Sequence, residues 1–133
     1  MSKIKILLMI ATISGALVVG LGAIGSHALE ETLAATGRED TYQTAIRYHA
    51  IHTLAILFFS LLSLFIRSRH VFTGIYLMLS GMILFSGSLY FLSLLDKSWL
   101  AYITPAGGIL LILSWIVLFF SIYKAEWDIS IRE

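Results

Sequence analysis

Four apolar stretches of this chain are each long enough to cross a lipid bilayer; they lie at residues 4–26, 45–66, 71–95 and 104–123. The shortest has 20 residues, and at about 1.5 Å per residue in a helix it reaches roughly 30 Å, the thickness of a hydrocarbon core. Lipid offers backbone amides no partner, and the alternating pattern of barrel strands is absent, so each stretch is expected to be helical. The sequence predicts an all-α integral membrane protein.

The composition leaves little room for anything outside the membrane. Hydrophobic residues make up 59% of the 133 residues and charged residues 13%, which excludes a soluble domain. We therefore expect a single membrane domain over residues 1–133. A net charge of +1 argues against a nucleic-acid partner, and the absence of cysteine excludes thiolate chemistry and disulfides.

The connections between the four stretches differ in length. Two are short turns, which force neighbouring helices to be antiparallel and predict a four-helix bundle. The first connection, residues 27–44, is long. Within it Leu29 and Leu33 share one face beside two glutamates, and Gly37 offers a helix stop. This pattern predicts a short helix on the outer membrane surface.

Two further residues are typical of helix starts. Asp40, followed by Gln43, predicts an N-cap that extends the second long helix about one turn out of the membrane. Thr104, followed by proline, predicts the N-cap of the fourth.

Lysine and arginine residues indicate the orientation. With the N-terminus inside, six of them are cytoplasmic: Lys3, Lys5, Arg67, Arg69, Lys124 and Arg132. Three are outside or near the outer boundary: Arg38, Arg47 and Lys97. Because cytoplasmic loops carry the excess of positive charge, we expect a multi-pass protein of the plasma membrane with both termini in the cytoplasm.

Small residues recur at intervals of seven along three of the stretches. They are Gly15 and Gly22; Thr73, Gly74, Ser80, Gly81, Gly87 and Ser88; and Gly107, Ser114 and Ser121. This period keeps one seam facing a neighbouring helix, and small residues let backbones approach closely. The pattern predicts tight helix packing.

The second stretch carries an unusual polar stripe. At about 100° per residue, His49 and His52 fall in one arc that runs inward from the outer boundary. A polar stripe in lipid must face protein or water, and polar residues of the other three stretches lie at a similar depth. We predict a polar cluster in the outer half of the bundle, with these candidate ligand-binding residues: His27, Arg47, His49, His52, Ser88, Tyr90 and Thr104.

The histidines leave more than one interpretation open. His27, His49 and His52 could bind zinc or copper, or relay protons, but neutral imidazoles held by hydroxyl groups explain them more simply. We therefore predict neither a metal site nor a cofactor. Arg47 is expected to extend toward lipid headgroups, with a carboxylate partner among Glu30, Glu31, Glu39 and Asp40; a contact with an anionic lipid or ligand between helices is the alternative.

Several motifs carry a resemblance to a known family. They are the Gly22–Leu29 run GAIGSHAL, the Tyr48–His52 run YHAIH, Gly81 with the Phe85–Tyr90 run FSGSLY, and the Ile103–Gly108 run ITPAGG with Trp115. Together they resemble the domain of unknown function 423 family, also called transmembrane protein 256-like, over nearly the whole chain. The resemblance implies a small four-helix membrane protein with no established activity. Ser26 stands where the family usually has alanine.

The sequence favours a non-enzymatic protein, acting as a small accessory or envelope-stabilising component. The alternatives are a binder or transporter of a small ligand, lipid or ion that uses the polar cluster, and a metal- or proton-dependent membrane enzyme. Membrane lipids are the expected partners, with a larger membrane complex or a homo-oligomer as further options.

Overall fold

The computed structural model describes residues 2–127, most of which are helical. The elements are α1 (Lys3–Ser26), α2 (Glu30–Thr36), α3 (Glu39–Leu62), β1 (Ile66–Arg67), α4 (His70–Leu95), a 3₁₀ helix (Ser98–Tyr102), α5 (Thr104–Tyr123) and β2 (Glu126–Trp127). Four helical segments, α1, α3, α4 and α5 with the preceding 3₁₀ helix, are long and apolar enough to cross a membrane. The predicted all-α membrane architecture is confirmed.

The four long helices form an open antiparallel bundle. Helix α1 packs on α3, α3 on α4, and α4 on α5. Within the described chain, α1 and α5 make no extensive contact with each other. Large apolar side chains such as Val19, Leu54, Ile83 and Phe119 are exposed on the outside, as expected of a surface that meets lipid. One groove lies between α1 and α4, and another lies between α3 and α5.

One end of the bundle, called here the strand end, is closed by a short strand pair. Ile66 pairs with Trp127 and Arg67 with Glu126 in antiparallel register. The prediction that the second helix continues to residue 66 is wrong, because α3 ends at Leu62. Ile66 is buried and its backbone bonds to the segment that follows α5 instead. Ile66 is therefore apolar because it is buried in the strand pair, and not because it belongs to a membrane-spanning helix.

The opposite end, called here the α2 end, carries the predicted short helix. Gly37 ends α2 in the left-handed conformation at φ 64°, which glycine adopts without strain. The Thr36 hydroxyl donates to the Ser93 carbonyl at 3.0 Å, and Arg38 Nε donates to Asp96 Oδ1 at 2.6 Å. These two bonds tie the first connection to the end of α4.

Both predicted helix caps are wrong. Helix α3 begins at Glu39, so Asp40 already lies inside its first turn, and Arg38 precedes the helix without a side-chain cap. Thr104 is itself the first residue of α5. Its hydroxyl is engaged across the bundle, 2.7 Å from the Ser88 hydroxyl, so tertiary packing has replaced the local cap.

The small-residue seam joins α4 to α5. A Cβ atom at Gly74 would stand 2.6 Å from Leu118, and one at Gly107 would collide with the backbone of α4 at Phe85. These glycines are therefore needed for close approach. The same expectation is wrong for Gly22 and Gly87, which have open space where a Cβ would lie.

Candidate functional site

The predicted polar cluster divides into separate groups in the structure. His49 contacts Tyr90 through its Nδ1, and the Ser88 hydroxyl contacts the Thr104 hydroxyl. His52 belongs to neither pair and contacts Trp115 instead. His27 is exposed at the end of α1, and its one hydrogen bond within the described part of the chain runs from its backbone N–H to the Ile24 carbonyl. The seven candidates therefore do not share one site.

His49 stands at the centre of a hydrogen-bonded chain that crosses three helices. Its Nε2 lies 2.9 Å from Ser14 Oγ of α1, and its Nδ1 lies 3.1 Å from the Tyr90 hydroxyl of α4. Ser14 Oγ lies 2.6 Å from Thr53 Oγ1, which in turn donates to Met82 Sδ at 3.7 Å. His49 is 9% exposed, so the chain is largely closed from its surroundings.

This chain permits two proton arrangements, because a hydroxyl both donates and accepts. In the first, His49 donates from Nε2 to Ser14 and accepts from Tyr90 at Nδ1. In the second, Ser14 donates to Nε2 and Nδ1–H donates to Tyr90, whose own proton is then free to point elsewhere. Both arrangements keep the imidazole neutral and fully bonded.

His52 is held in a single arrangement. Its Nδ1 lies 2.7 Å from the Tyr48 carbonyl, which can only accept, and its Nε2 receives a bond from Trp115 Nε1 at 3.4 Å. Nδ1 therefore carries the proton and Nε2 the lone pair. Tyr48 stacks on the ring at 5.9 Å between centroids. His52 is 4% exposed and both of its ring nitrogens are hydrogen-bonded, so its role is to hold α3 and α5 together.

The structure does not assemble the suggested metal site. Within residues 2–127, no three histidine, aspartate or glutamate side chains lie close enough to hold a metal ion. His27 is separated from the other two because it sits past the end of α1, whereas His49 and His52 are buried within α3.

The groove between α1 and α4, called here the α1–α4 groove, has a volume of about 380 Å³. Its lining is mostly apolar and includes the exposed side chains of Leu17 and Ile83. His49, Ser86 and Tyr90 are the polar residues of α3 and α4 that also line it. Ser86 is only 2% exposed, and its hydroxyl is the one buried side-chain polar atom among the described residues that has no hydrogen-bond partner.

The groove between α3 and α5, called here the α3–α5 groove, has a volume of about 520 Å³. Tyr48, His52, Phe85 and Trp115 line it, and Arg47 lies at the same groove. Arg47 is exposed, and no carboxylate of the described residues forms an ion pair with it. The expectation that a carboxylate of the first connection pairs with Arg47 is therefore wrong.

Comparison with known proteins identifies the family of this chain. The family model described as "Protein of unknown function (DUF423)" matches residues 21–108. The chain belongs to the DUF423 family. The DUF423 match includes both histidines, Ser86 and Tyr90, whereas Ser14 and Trp115, which bond to the histidines, lie outside it.

Relatives of this DUF423 protein carry membrane-protein names. The UPF0382 membrane protein YwdK of Bacillus subtilis is 37% identical over 86% of this chain and 93% of its own length. The UPF0382 inner membrane protein YgdD of Escherichia coli K12 is 37% identical over 84% of each chain. A UPF0382 membrane protein of Staphylococcus epidermidis is 35% identical over 90% and 97%. No solved structure matches the chain.

Proposed function

We propose that this protein is a non-enzymatic accessory protein of the plasma membrane that binds an anionic phospholipid in the α3–α5 groove, with the lipid phosphate on Arg47. The observation that carries the proposal is a guanidinium at an apolar groove, inside a membrane-spanning helix, that pairs with no carboxylate of residues 2–127.

The cost of an unpaired charge supports this proposal. An arginine within a transmembrane helix costs about 2.5–3.5 kcal/mol at the bilayer centre, unless the side chain reaches the interface or a partner. Arg47 lies eight residues after the start of α3, roughly 12 Å along the helix, so its long side chain can extend back toward headgroup level. A phosphate there would accept two parallel hydrogen bonds from the guanidinium.

The groove itself suits an acyl chain. Its volume of about 520 Å³ is within the roughly 300–1,000 Å³ typical of ligand sites. Below Arg47 the lining is aromatic and aliphatic, and Trp115 already has its N–H bonded to His52. An apolar chain would therefore meet no unsatisfied donor at either of these two side chains.

The positions of the cations support an orientation with both termini in the cytoplasm. Lys3, Lys5, Arg67, Arg69 and Lys124 are at the strand end, whereas Arg38, Arg47 and Lys97 are toward the α2 end. Arg132, counted with the first group, lies outside the described residues. Since Arg38 is paired with Asp96, the α2 end carries even less unpaired positive charge. The Arg47 site would then face the outer leaflet.

A non-enzymatic role is supported by the state of the histidines. The ring nitrogens of His49 and His52 are all engaged in hydrogen bonds within the protein. A general base needs a nitrogen within reach of a substrate proton, so this arrangement favours architecture over proton transfer to a ligand.

The experiment that tests the proposal is native mass spectrometry of the purified chain, titrated with phosphatidylglycerol or phosphatidylcholine. We expect phosphatidylglycerol to bind more tightly, and Arg47→Gln to weaken it about fivefold, corresponding to about 1 kcal/mol per cation near an anionic lipid. Lys97→Gln, which removes an exposed cation outside the groove, is the matched control and should bind as the wild type does. Equal loss in both variants, or no preference for phosphatidylglycerol, would refute the proposal.

A further inference from the structure

We infer that the α1–α4 groove is a second binding site, for a neutral lipid-soluble carbonyl compound of the quinone class whose oxygen accepts a hydrogen bond from Ser86. This site and the α3–α5 groove lie on opposite sides of the α3–α4 pair. The inference does not depend on the function proposed above.

The Ser86 hydroxyl is exceptional among the buried serines of the described chain. The six others all make hydrogen bonds, most of them to a carbonyl three or four residues earlier: Ser14, Ser60, Ser88, Ser93, Ser114 and Ser121. Ser86 makes none, although its hydroxyl is buried and lies in the wall of an open groove. A buried hydroxyl without a hydrogen-bond partner destabilises a protein by about 1–3 kcal/mol. A ligand in the groove that accepts a hydrogen bond from Ser86 would remove this cost and so bind more tightly.

The depth of Ser86 decides which acceptor fits. Ser86 lies fewer than four residues past the midpoint of α4, roughly 5 Å along the helix axis. The ester carbonyls and phosphates of phospholipids stay near the headgroup boundary, about 15 Å from the midplane of a 30 Å core. A serine hydroxyl stays at the depth of its own backbone, unlike the long side chain of Arg47, which can extend toward the headgroups. A carbonyl that accepts from Ser86 is therefore expected to belong to a neutral molecule that dissolves in the hydrocarbon itself.

Tyr90 provides a place for a second ligand oxygen. Ser86 and Tyr90 are four residues apart on α4 and both line the groove. When His49 carries its proton on Nδ1 and donates to Tyr90, the phenol hydrogen is free to point into the groove. In this arrangement Ser14 donates to His49 and Thr53 donates to Ser14, so the second donor costs only the long 3.7 Å bond from Thr53 to Met82 Sδ, and it suits a ring bearing two carbonyl groups.

Gly87 keeps the groove open. A Cβ atom at this position would meet nothing within 4 Å, in contrast to Gly74 and Gly107, where it would strike α5 or α4. The space beside Gly87 is therefore not required for helix packing. A volume of about 380 Å³ is at the lower end of the range of ligand sites and suits a small ring with the first part of its chain.

The test uses decylubiquinone as the probe and decylbenzene as a matched compound without carbonyl groups, each titrated against the full chain in detergent micelles by native mass spectrometry. We expect one decylubiquinone per chain, bound about tenfold more weakly by Ser86→Ala and not detectably by Gly87→Phe. Decylbenzene should bind equally to wild type and Ser86→Ala. Ser114→Ala and Gly20→Phe, changes of the same kind outside the groove, should bind decylubiquinone as the wild type does.

Three results would overturn the inference: no retention of decylubiquinone by the wild type, unchanged binding by Ser86→Ala, or Ser86-dependent binding of palmitate in place of decylubiquinone. Arg47→Gln should leave decylubiquinone binding unchanged, so failure here is distinguishable from failure of the phospholipid site. Should Gly87→Phe not fold, the Ser86→Ala comparison alone decides the outcome.

Discussion

Ser14 Oγ lies 2.9 Å from His49 Nε2, and this bond joins α1 to the rest of the bundle deep within the apolar region. Helix α1 packs chiefly on α3, and the Tyr42 hydroxyl of α3 also donates to the Leu21 carbonyl of α1 at 2.7 Å. The same serine also bonds to Thr53, which makes the three side chains one unit.

We therefore predict that Ser14 and His49 are energetically coupled. Hydrogen bonds between transmembrane helices average about 0.6 kcal/mol and reach about 1.7 kcal/mol in double-mutant cycles. A cycle of Ser14→Ala and His49→Ala, measured by unfolding in mixed micelles, should give about 0.5–1.5 kcal/mol of coupling. A cycle of Ser114→Ala with His49→Ala is the control, since Ser114 bonds within its own helix, and additive effects in both cycles would contradict the prediction.

The tautomer of His52 is a second prediction. The Tyr48 carbonyl and the Trp115 N–H together require a neutral ring protonated at Nδ1. The ¹⁵N chemical shifts of a histidine-labelled sample should show this form, and Trp115→Phe should shift the Nε2 resonance while leaving Nδ1 protonated. A ring protonated at Nε2 in the wild type would contradict the structure.

The helix seam gives a third prediction. Gly107→Ala places a methyl group against the backbone of α4, and overpacking of this kind costs about 1–3 kcal/mol. Gly20→Ala, where a Cβ meets nothing, should be neutral or slightly stabilising because alanine favours a helix. Thermal unfolding of both variants in the same detergent compares them, and equal stability would refute the close α4–α5 contact.

A fourth prediction concerns Gly37, the left-handed residue that ends α2. Gly37→Ala should destabilise the protein by about 1 kcal/mol, because its φ of 64° strains any residue with a Cβ. Gly37→Asn should cost less, since asparagine tolerates this conformation. Hydrogen exchange of the α2 amides should rise in the alanine variant, and protection equal to wild type would argue against this helix end.

Orientation can be tested directly because the chain has no cysteine. Single cysteines at Lys5, Lys97 and Lys124 should divide into two groups when whole cells are treated with a membrane-impermeant maleimide. We expect only Lys97→Cys to react before lysis. Reaction of Lys5→Cys or Lys124→Cys instead would invert the topology.

The sequence predicts the fold well because each spanning helix is set by its own apolar length. The end of α3 at Leu62 is missed because Ile66 pairs in a strand, and the predicted capping role of Thr104 is wrong because its hydroxyl contacts Ser88 instead. The site is predicted less well. Periodicity places His49 and His52 on one stripe, yet the structure directs them to different grooves, and Ser14 is missed because a lone serine in an apolar helix gives no signal of its partner.

The most direct measurement of the proposed function is a ¹⁵N–³¹P dipolar contact, by solid-state NMR, between arginine guanidinium nitrogens and lipid phosphorus in phosphatidylglycerol bilayers. The account predicts a contact signal that is lost in Arg47→Gln and retained in Lys97→Gln. A spectrum in which Arg47→Gln leaves every guanidinium–phosphorus contact unchanged would contradict the phospholipid site.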